Sequence, residues 1–173
     1  MLQRKGYVEI YTGKGKGKTT AALGVALRTL LAGGTVYFAE FIKGRKTAEL
    51  ALCDVFPAMT MVQFGDGEFL GPIISDEERK NAQEGLKKSL SAATSGNYDL
   101  VVLDEIFVAI TYHLLTTEDV LDLIRKKNEY TEIILTGRNA SEDLIQEADL
   151  VTNMQNIKHY FSKGVRAREG IEY

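Results

Sequence analysis

A chain of 173 residues with 45% hydrophobic content is long enough to bury an ordinary core and suits one domain spanning residues 1–173. Its net charge of −3 gives no global attraction to nucleic acid, so partners are a matter of local sites. The single cysteine, Cys53, excludes an internal disulfide and a cysteine-based metal cluster within the chain, and is expected to be a half-buried hydrophobe.

The first residues, MLQRKGYVEIYTG, lack the apolar run of a signal peptide, and no segment approaches the ~20 apolar residues of a membrane span. A reducing, cytoplasmic setting with no membrane partner is therefore expected. Apolar runs at Tyr7 to Tyr11, Thr35 to Phe41, Thr60 to Phe64, Leu100 to Leu103, Ile133 to Thr136 and Leu150 to Asn153 predict six strands. Between them, helical periodicity predicts helices over Thr19 to Leu31, Asp76 to Ser95, Thr117 to Lys127 and Ser141 to Glu147. The alternation predicts an α/β fold with a mostly parallel sheet of about six strands and helices on both faces.

Ser75 and Glu78 have capping-box spacing at the start of the second helix. Glu118 and Asp119 in the first turn of the third, with Lys126 and Lys127 at its end, complement the helix dipole. GDGEFLGPII, from Gly65 to Ile74, predicts a surface loop carrying Phe69 and Leu70. His113, beside Tyr112 and Leu114 in an apolar helical stretch, reads as structural.

The chemistry concentrates at TGKGKGKTT, Thr12 to Thr20, where a predicted strand enters a glycine-rich bend and a helix follows. That order aims backbone N–H groups and the positive helix end at one point, which suits an anion. Lys18 is placed to reach outer phosphates, Thr19 to offer a hydroxyl to Mg²⁺, and Gly13, Gly15 and Gly17 to let the backbone approach closely. Lys14 and Lys16 add to the local positive charge. In the usual loop, G-x-x-x-x-G-K-[ST], the first glycine stands where this chain has Thr12. Its β-branched Cβ restricts positive φ, so a different pose of the polyphosphate is open.

A polyphosphate travels with a metal, and DLVVLDEI supplies carboxylates: Asp104 and Glu105 emerge at the C-terminal end of an apolar strand, the ligand edge of open α/β sheets. Either is a candidate to hold Mg²⁺, directly or through water. Arg138 follows another strand end and is placed to face the same edge, while Lys158, His159, Arg166 and Arg168 form a second basic cluster around Gly164.

Taken together, TGKGKGKTTAALG, VVLDEI, LTGRNA, EADLVTNM and KHYFSKGVRAREGIEY resemble the ATP:corrinoid adenosyltransferases of the BtuR/CobA/CobO type, nearly from end to end. The threonine at the head of the loop is itself that family's form. The resemblance implies a P-loop, RecA-like domain, a homodimer, and transfer of the 5′-deoxyadenosyl group of ATP to Co(I) of a corrinoid, with ATP reversed in the loop and triphosphate leaving. It implies a flavoprotein or flavodoxin-type reductant and no nucleic acid. Carried over, Thr12, Gly13, Lys14, Gly15, Lys16, Gly17, Lys18, Thr19 and Thr20 form the triphosphate loop, with Lys14, Lys18 and Arg138 as catalytic groups and Thr19, Asp104 and Glu105 about Mg²⁺. Arg166 lies in the GVRAREGIEY signature. Phe69 stands for the aromatic pair that members carry as F-T-W; this chain has no tryptophan. The competing reading is a RecA-like ATPase or nucleotide-gated binding protein using the same loop for hydrolysis.

Overall fold

The computed structural model describes residues 2, 4–44, 47–65 and 74–172. Six strands form one parallel sheet: β1 (Val8–Thr12), β2 (Val36–Phe41), β3 (Met59–Phe64), β4 (Leu100–Asp104), β5 (Glu132–Thr136) and β6 (Leu150–Asn153), in the order β3-β2-β4-β5-β1-β6. Every residue of β2 and β4 is buried, as expected of a parallel sheet covered on both faces.

Alternate strand residues face two cores. Tyr37, Ala39, Phe41, Val101, Leu103, Ile133 and Leu135 pack against helices α3 (Asp76–Ser95), α4 (Ile106–Thr111), α5 (Thr117–Lys126) and α6 (Glu142–Glu147). On the opposite face Val36, Phe38, Leu100, Val102 and Ile134 meet Ala22, Ala26 and Leu30 of α1 (Lys18–Leu31). Leu52 and Cys53 of the short α2 (Leu52–Val55) pack against that second core, so Cys53 is the half-buried hydrophobe expected of it. The glycine at 85 lets α3 lie close on the sheet: a Cβ there would stand 2.7 Å from Phe64 Cγ.

All six predicted strands and four predicted helices are present, with ends shifted by a residue or so. Two short helices, α2 and α4, escaped the periodicity, and 3-10 turns span Ala48–Ala51 and Tyr160–Lys163. Each is too short for an amphipathic period to register. His113 stands just past α4 with φ of 56° and is exposed, so it ends the helix instead of packing in it. Ser75 with Glu78, and Thr116 with Asp119, close reciprocal capping boxes on α3 and α5; the second cap is one residue ahead of the acidic turn seen in sequence. Among the described residues no helix is long and apolar enough to cross a membrane.

Replacing Gly85 with valine is expected to destabilise the fold by about 1–3 kcal/mol through overpacking against Phe64 and Phe41, read as a lower denaturant midpoint at unchanged slope.

Candidate functional site

Strand β1 runs through Thr12, which is buried, pairs in register with Asn153, and accepts a hydrogen bond on Oγ1 from Ala140 N at 3.3 Å. Thr12 is thus the last strand residue, and the positive φ that an ordinary loop places at its first glycine falls one position later, at Gly13 (106°). Gly13 and Gly15 also answer a packing demand. A Cβ on Gly15 would lie 2.7 Å from the carbonyl oxygens of Met154 and Gln155, and one on Gly13 would collide with Met154 O. The segment after β6 therefore lies directly on the loop, fastened by the bond from Gly15 N to Met154 O at 2.7 Å.

Gly17 is the N-cap of α1 at φ 121°, with no side-chain cap and no acidic residue in the first turn. In α3 and α5 the N-terminal amides are satisfied by capping boxes. In α1 they face the loop with no side chain on them, and the helix dipole adds positive potential there. Lys18 Nζ turns back into the loop and donates to Gly13 O and Gly15 O, both at 2.9 Å. Burial pushes its ammonium below the usual lysine range and Arg138 adds to that, against the pull of Glu105 and Asp104.

Opposite the loop, Asp104 ends β4 with no exposure to solvent. Its Oδ1 accepts from Thr136 Oγ1 at 2.6 Å and from Thr19 Oγ1 at 2.9 Å, while Lys43 Nζ lies 2.8 Å from Oδ2. Glu105, next along, adopts the left-handed conformation at φ 59° as N-cap of α4, its amide donating to Thr136 Oγ1 at 2.9 Å. Burial pushes the Glu105 carboxyl above the usual carboxylate range, Asp104 adds to the rise, and Lys18, Lys43 and Arg138 oppose it. A cavity of about 290 Å³ is lined by Lys14, Lys16, Lys18, Thr19, Glu105 and Arg138. Lys14 and Arg138 also line a larger neighbouring cavity of about 650 Å³ with His159 and Phe161.

The fold thus brings together Thr12 to Thr20, Asp104, Glu105 and Arg138, as the sequence led one to expect. The two carboxylates divide the work: Asp104 grips the Thr19 hydroxyl, and Glu105 faces the cavity. Arg166 is exposed on the C-terminal segment. Phe69, with most of the Gly65 to Ile74 loop, lies outside the described residues. Arg168 pairs with Glu172, whose Oε1 lies 2.9 Å from Lys16 Nζ and which also bonds to Tyr160 OH. Glu172 thereby ties the C-terminal segment to the loop, and these contacts hold its carboxyl well below the usual range, Arg168 first and Lys16 next.

Sequence reasoning passed over Glu40, Lys43 and Thr136. Thr136 gave no signal in an apolar strand end. Glu40 gave one: it is the lone charge in VYFAEF, at the C-terminal end of a strand, the same signature that drew attention to Asp104.

A glycine loop feeding an uncapped helix, set across from a buried carboxylate at the C-terminal edge of a parallel sheet, defines a candidate polyphosphate site in an α/β protein of the nucleotide-binding class. The oxygen donors there, a hydroxyl and carboxylates, also suit a hard divalent cation. Comparisons with known proteins sharpen this. The model of the family described as ATP:corrinoid adenosyltransferase BtuR/CobO/CobP matches residues 4–173. A corrinoid adenosyltransferase from Sinorhizobium sp. is 34% identical over 98% of this chain and 81% of its own length. One from Escherichia coli K12 is 30% identical over 98% and 86%, and the corrinoid adenosyltransferase CobA of Salmonella typhimurium is 30% identical over 99% and 87%. The chain belongs to the ATP:corrinoid adenosyltransferase family.

With Glu172 replaced by glutamine, Lys16 and Arg168 lose their shared carboxylate, and amide exchange over residues 160–172 is expected to accelerate while exchange in β1, β4 and β5 is unchanged.

Proposed function

We propose that this protein transfers the 5′-deoxyadenosyl group of ATP to Co(I) of a corrinoid, releasing triphosphate, in adenosylcobalamin biosynthesis or salvage. The observation that carries the reading is the convergence of Lys14, Lys18, Arg138 and the uncapped amides of α1 on one cavity that also contains Thr19 and Glu105. The family description names the substrates, ATP and a corrinoid; we read ATP as reversed in the loop, so that C5′ and not the terminal phosphorus is presented.

In this reaction the cobalt electron pair forms the Co–C5′ bond as the C5′–O bond breaks, and the departing electron pair stays on the triphosphate oxygen. No protein nucleophile is required. The work of the chain is to hold the triphosphate and to stabilise the negative charge that grows on it, a role suited to two lysines, an arginine and preorganised N–H donors. Lys18 must leave Gly13 O and Gly15 O to meet the phosphates. Thr19, with its proton committed to Asp104, would keep lone pairs for Mg²⁺, and Glu105 or Asp104 would complete the set, directly or through water. Bound there, Mg²⁺ would neutralise part of the triphosphate charge. By the motif resemblance we read Phe69 on the corrinoid side and Arg166, within GVRAREGIEY, near the active site.

We also take residues 1–173 as a single P-loop, RecA-like domain, acting in the cytoplasm as a homodimer supplied with electrons by a flavoprotein. Separation of the loop strand β1 from the carboxylate strand β4 by one intervening strand, β5, supports the domain type. Exposed Leu150 and Val151 on the edge strand β6, with Ile157 and Phe161 beyond it, support a subunit contact.

Given ATP, magnesium and a chemically reduced corrinoid, the protein is expected to yield adenosylcorrinoid and triphosphate in equal amounts. Release of ADP without corrinoid would instead identify an ATPase. Lys18→Ala is expected to lower the transfer rate by about 10²–10³-fold, the scale for losing one preorganised charge-stabilising donor, measured by the change in corrinoid absorbance.

A further inference from the structure

The register of the sheet aligns three polar residues at its C-terminal edge: Gln63 of β3 pairs with Glu40 of β2, and Glu40 pairs with Asp104 of β4. Glu40 and Asp104 both lie next to residues of the α3 core, Ala39, Phe41 and Leu103, so alternation turns their own side chains to the opposite face, where α1 carries Thr19. Neither is exposed to solvent. Two carboxylates side by side under a helix are costly to ionise: burial pushes Glu40 above the usual carboxylate range, and a cation between the two opposes that rise. That cation is Lys43, three residues past Glu40, whose Nζ stands 2.8 Å from Glu40 Oε1 and 2.8 Å from Asp104 Oδ2.

Each member of the pair is held in turn. Gln63 Nε2 donates to Glu40 Oε2 at 2.8 Å, Thr47 Oγ1 lies 3.4 Å from the same oxygen, and Glu49 approaches Lys43 at 3.7 Å. Burial pushes the Lys43 ammonium down, but Asp104 and Glu40 outweigh it and the net shift is upward, so the ammonium stays charged where it sits.

We propose that Lys43 is a positioning residue for the reaction: clamped between Glu40 and Asp104, it fixes the Asp104 carboxylate so that the Thr19 hydroxyl is obliged to donate away from the loop and present its lone pairs toward the triphosphate and its metal. Asp104 is gripped from two sides, Thr136 on Oδ1 and Lys43 on Oδ2, and Thr19 takes the remaining acceptor sites at 2.9 and 3.2 Å. A hydroxyl has one proton. Spent on Asp104, it leaves only acceptor character on the side facing the loop. With Lys43 absent, the carboxylate is free to turn and the Thr19 proton is free to point at the cavity, where a cation needs an oxygen lone pair.

This rests on the reading of the loop as a magnesium–triphosphate site, so the test separates the two. A fluorescent ATP analogue is titrated into the purified protein with EDTA and then across a range of magnesium concentrations, with thermal unfolding followed in parallel. Lys43→Met strands two buried carboxylates and threatens folding, so the decisive variant is E40Q/K43M, which removes one charge of each sign; K43R keeps the charge, and Thr19→Val reports on the loop itself. The expected result is unchanged binding in EDTA for E40Q/K43M, a half-saturating magnesium concentration raised roughly 10–100-fold, the range for removing a partner that orients a metal ligand, and near-normal magnesium response in K43R. If Thr19→Val loses the magnesium response while a folded E40Q/K43M keeps it, Lys43 is only a structural tie and the proposal fails alone. Loss of binding in EDTA as well as in magnesium also overturns it, because Lys43 then supports the loop generally. If Thr19→Val keeps the response, the loop reading fails and the proposal with it.

Discussion

Asp104 is a carboxylate with no access to water, held by donors from three other parts of the chain: Thr19 at the start of α1, Thr136 at the end of β5 and Lys43 beyond β2. A buried charge of this kind is stable only when its partners are fixed. The requirement runs both ways, because those partners belong to separate parts of the chain. Through Asp104 the glycine loop, the central strands and the segment after β2 are locked into one geometry that orients the Thr19 hydroxyl.

Against that fixed point stands a deliberately incomplete helix. The surface helices α3 and α5 satisfy their first amides with capping boxes, whereas α1 starts at a glycine with no side chain on its N-terminal donors. Unpaired N–H groups and the helix dipole make a positive focus, and Lys14, Lys18 and Arg138 surround it. Such a concentration of positive charge with few acceptors is unfavourable in the empty protein; Lys18 relieves part of it by bonding to loop carbonyls, and Lys16 by bonding to Glu172. Such a focus suits a polyanion, and on the proposed function it receives the charge developing on a leaving triphosphate. An uncapped helix and a set of cations also suit adenosyl transfer better than a chemistry that needs a protein nucleophile or base, because the nucleophile here is the cobalt of the substrate.

The backbone at the loop reflects two demands at once. On the proposed function Gly13 and Gly15 allow a ligand close approach, yet they also sit under the carbonyls of Met154 and Gln155, where any side chain would collide. Thr12 can replace the usual first glycine because it is still a strand residue, paired with Asn153 and bonded to Ala140 N, and needs no positive φ. The shift of that glycine by one position is a change in where the strand ends, and the segment just after β6 packs on the loop there.

The α/β architecture, the strand-loop-helix at Thr12 to Thr20 and the carboxylates after β4 were legible in the chain itself, since periodicity, caps and a glycine-lysine loop are local features and each reports on its own neighbourhood. Strand order was not: β5 between β1 and β4, and Glu40 beside Asp104, follow from pairings between residues at least 32 positions apart. The roles of Lys43 and Thr136 were hidden for the same reason, because an isolated lysine or threonine has no periodic signature and acquires meaning only when folding sets it against a buried charge. The separate duties of Asp104 and Glu105, adjacent in sequence, likewise depended on a left-handed turn at Glu105 that sends one side chain under α1 and the other toward the cavity. Local chemistry determined which residues could bind a phosphate; long-range packing decided which of them face one another.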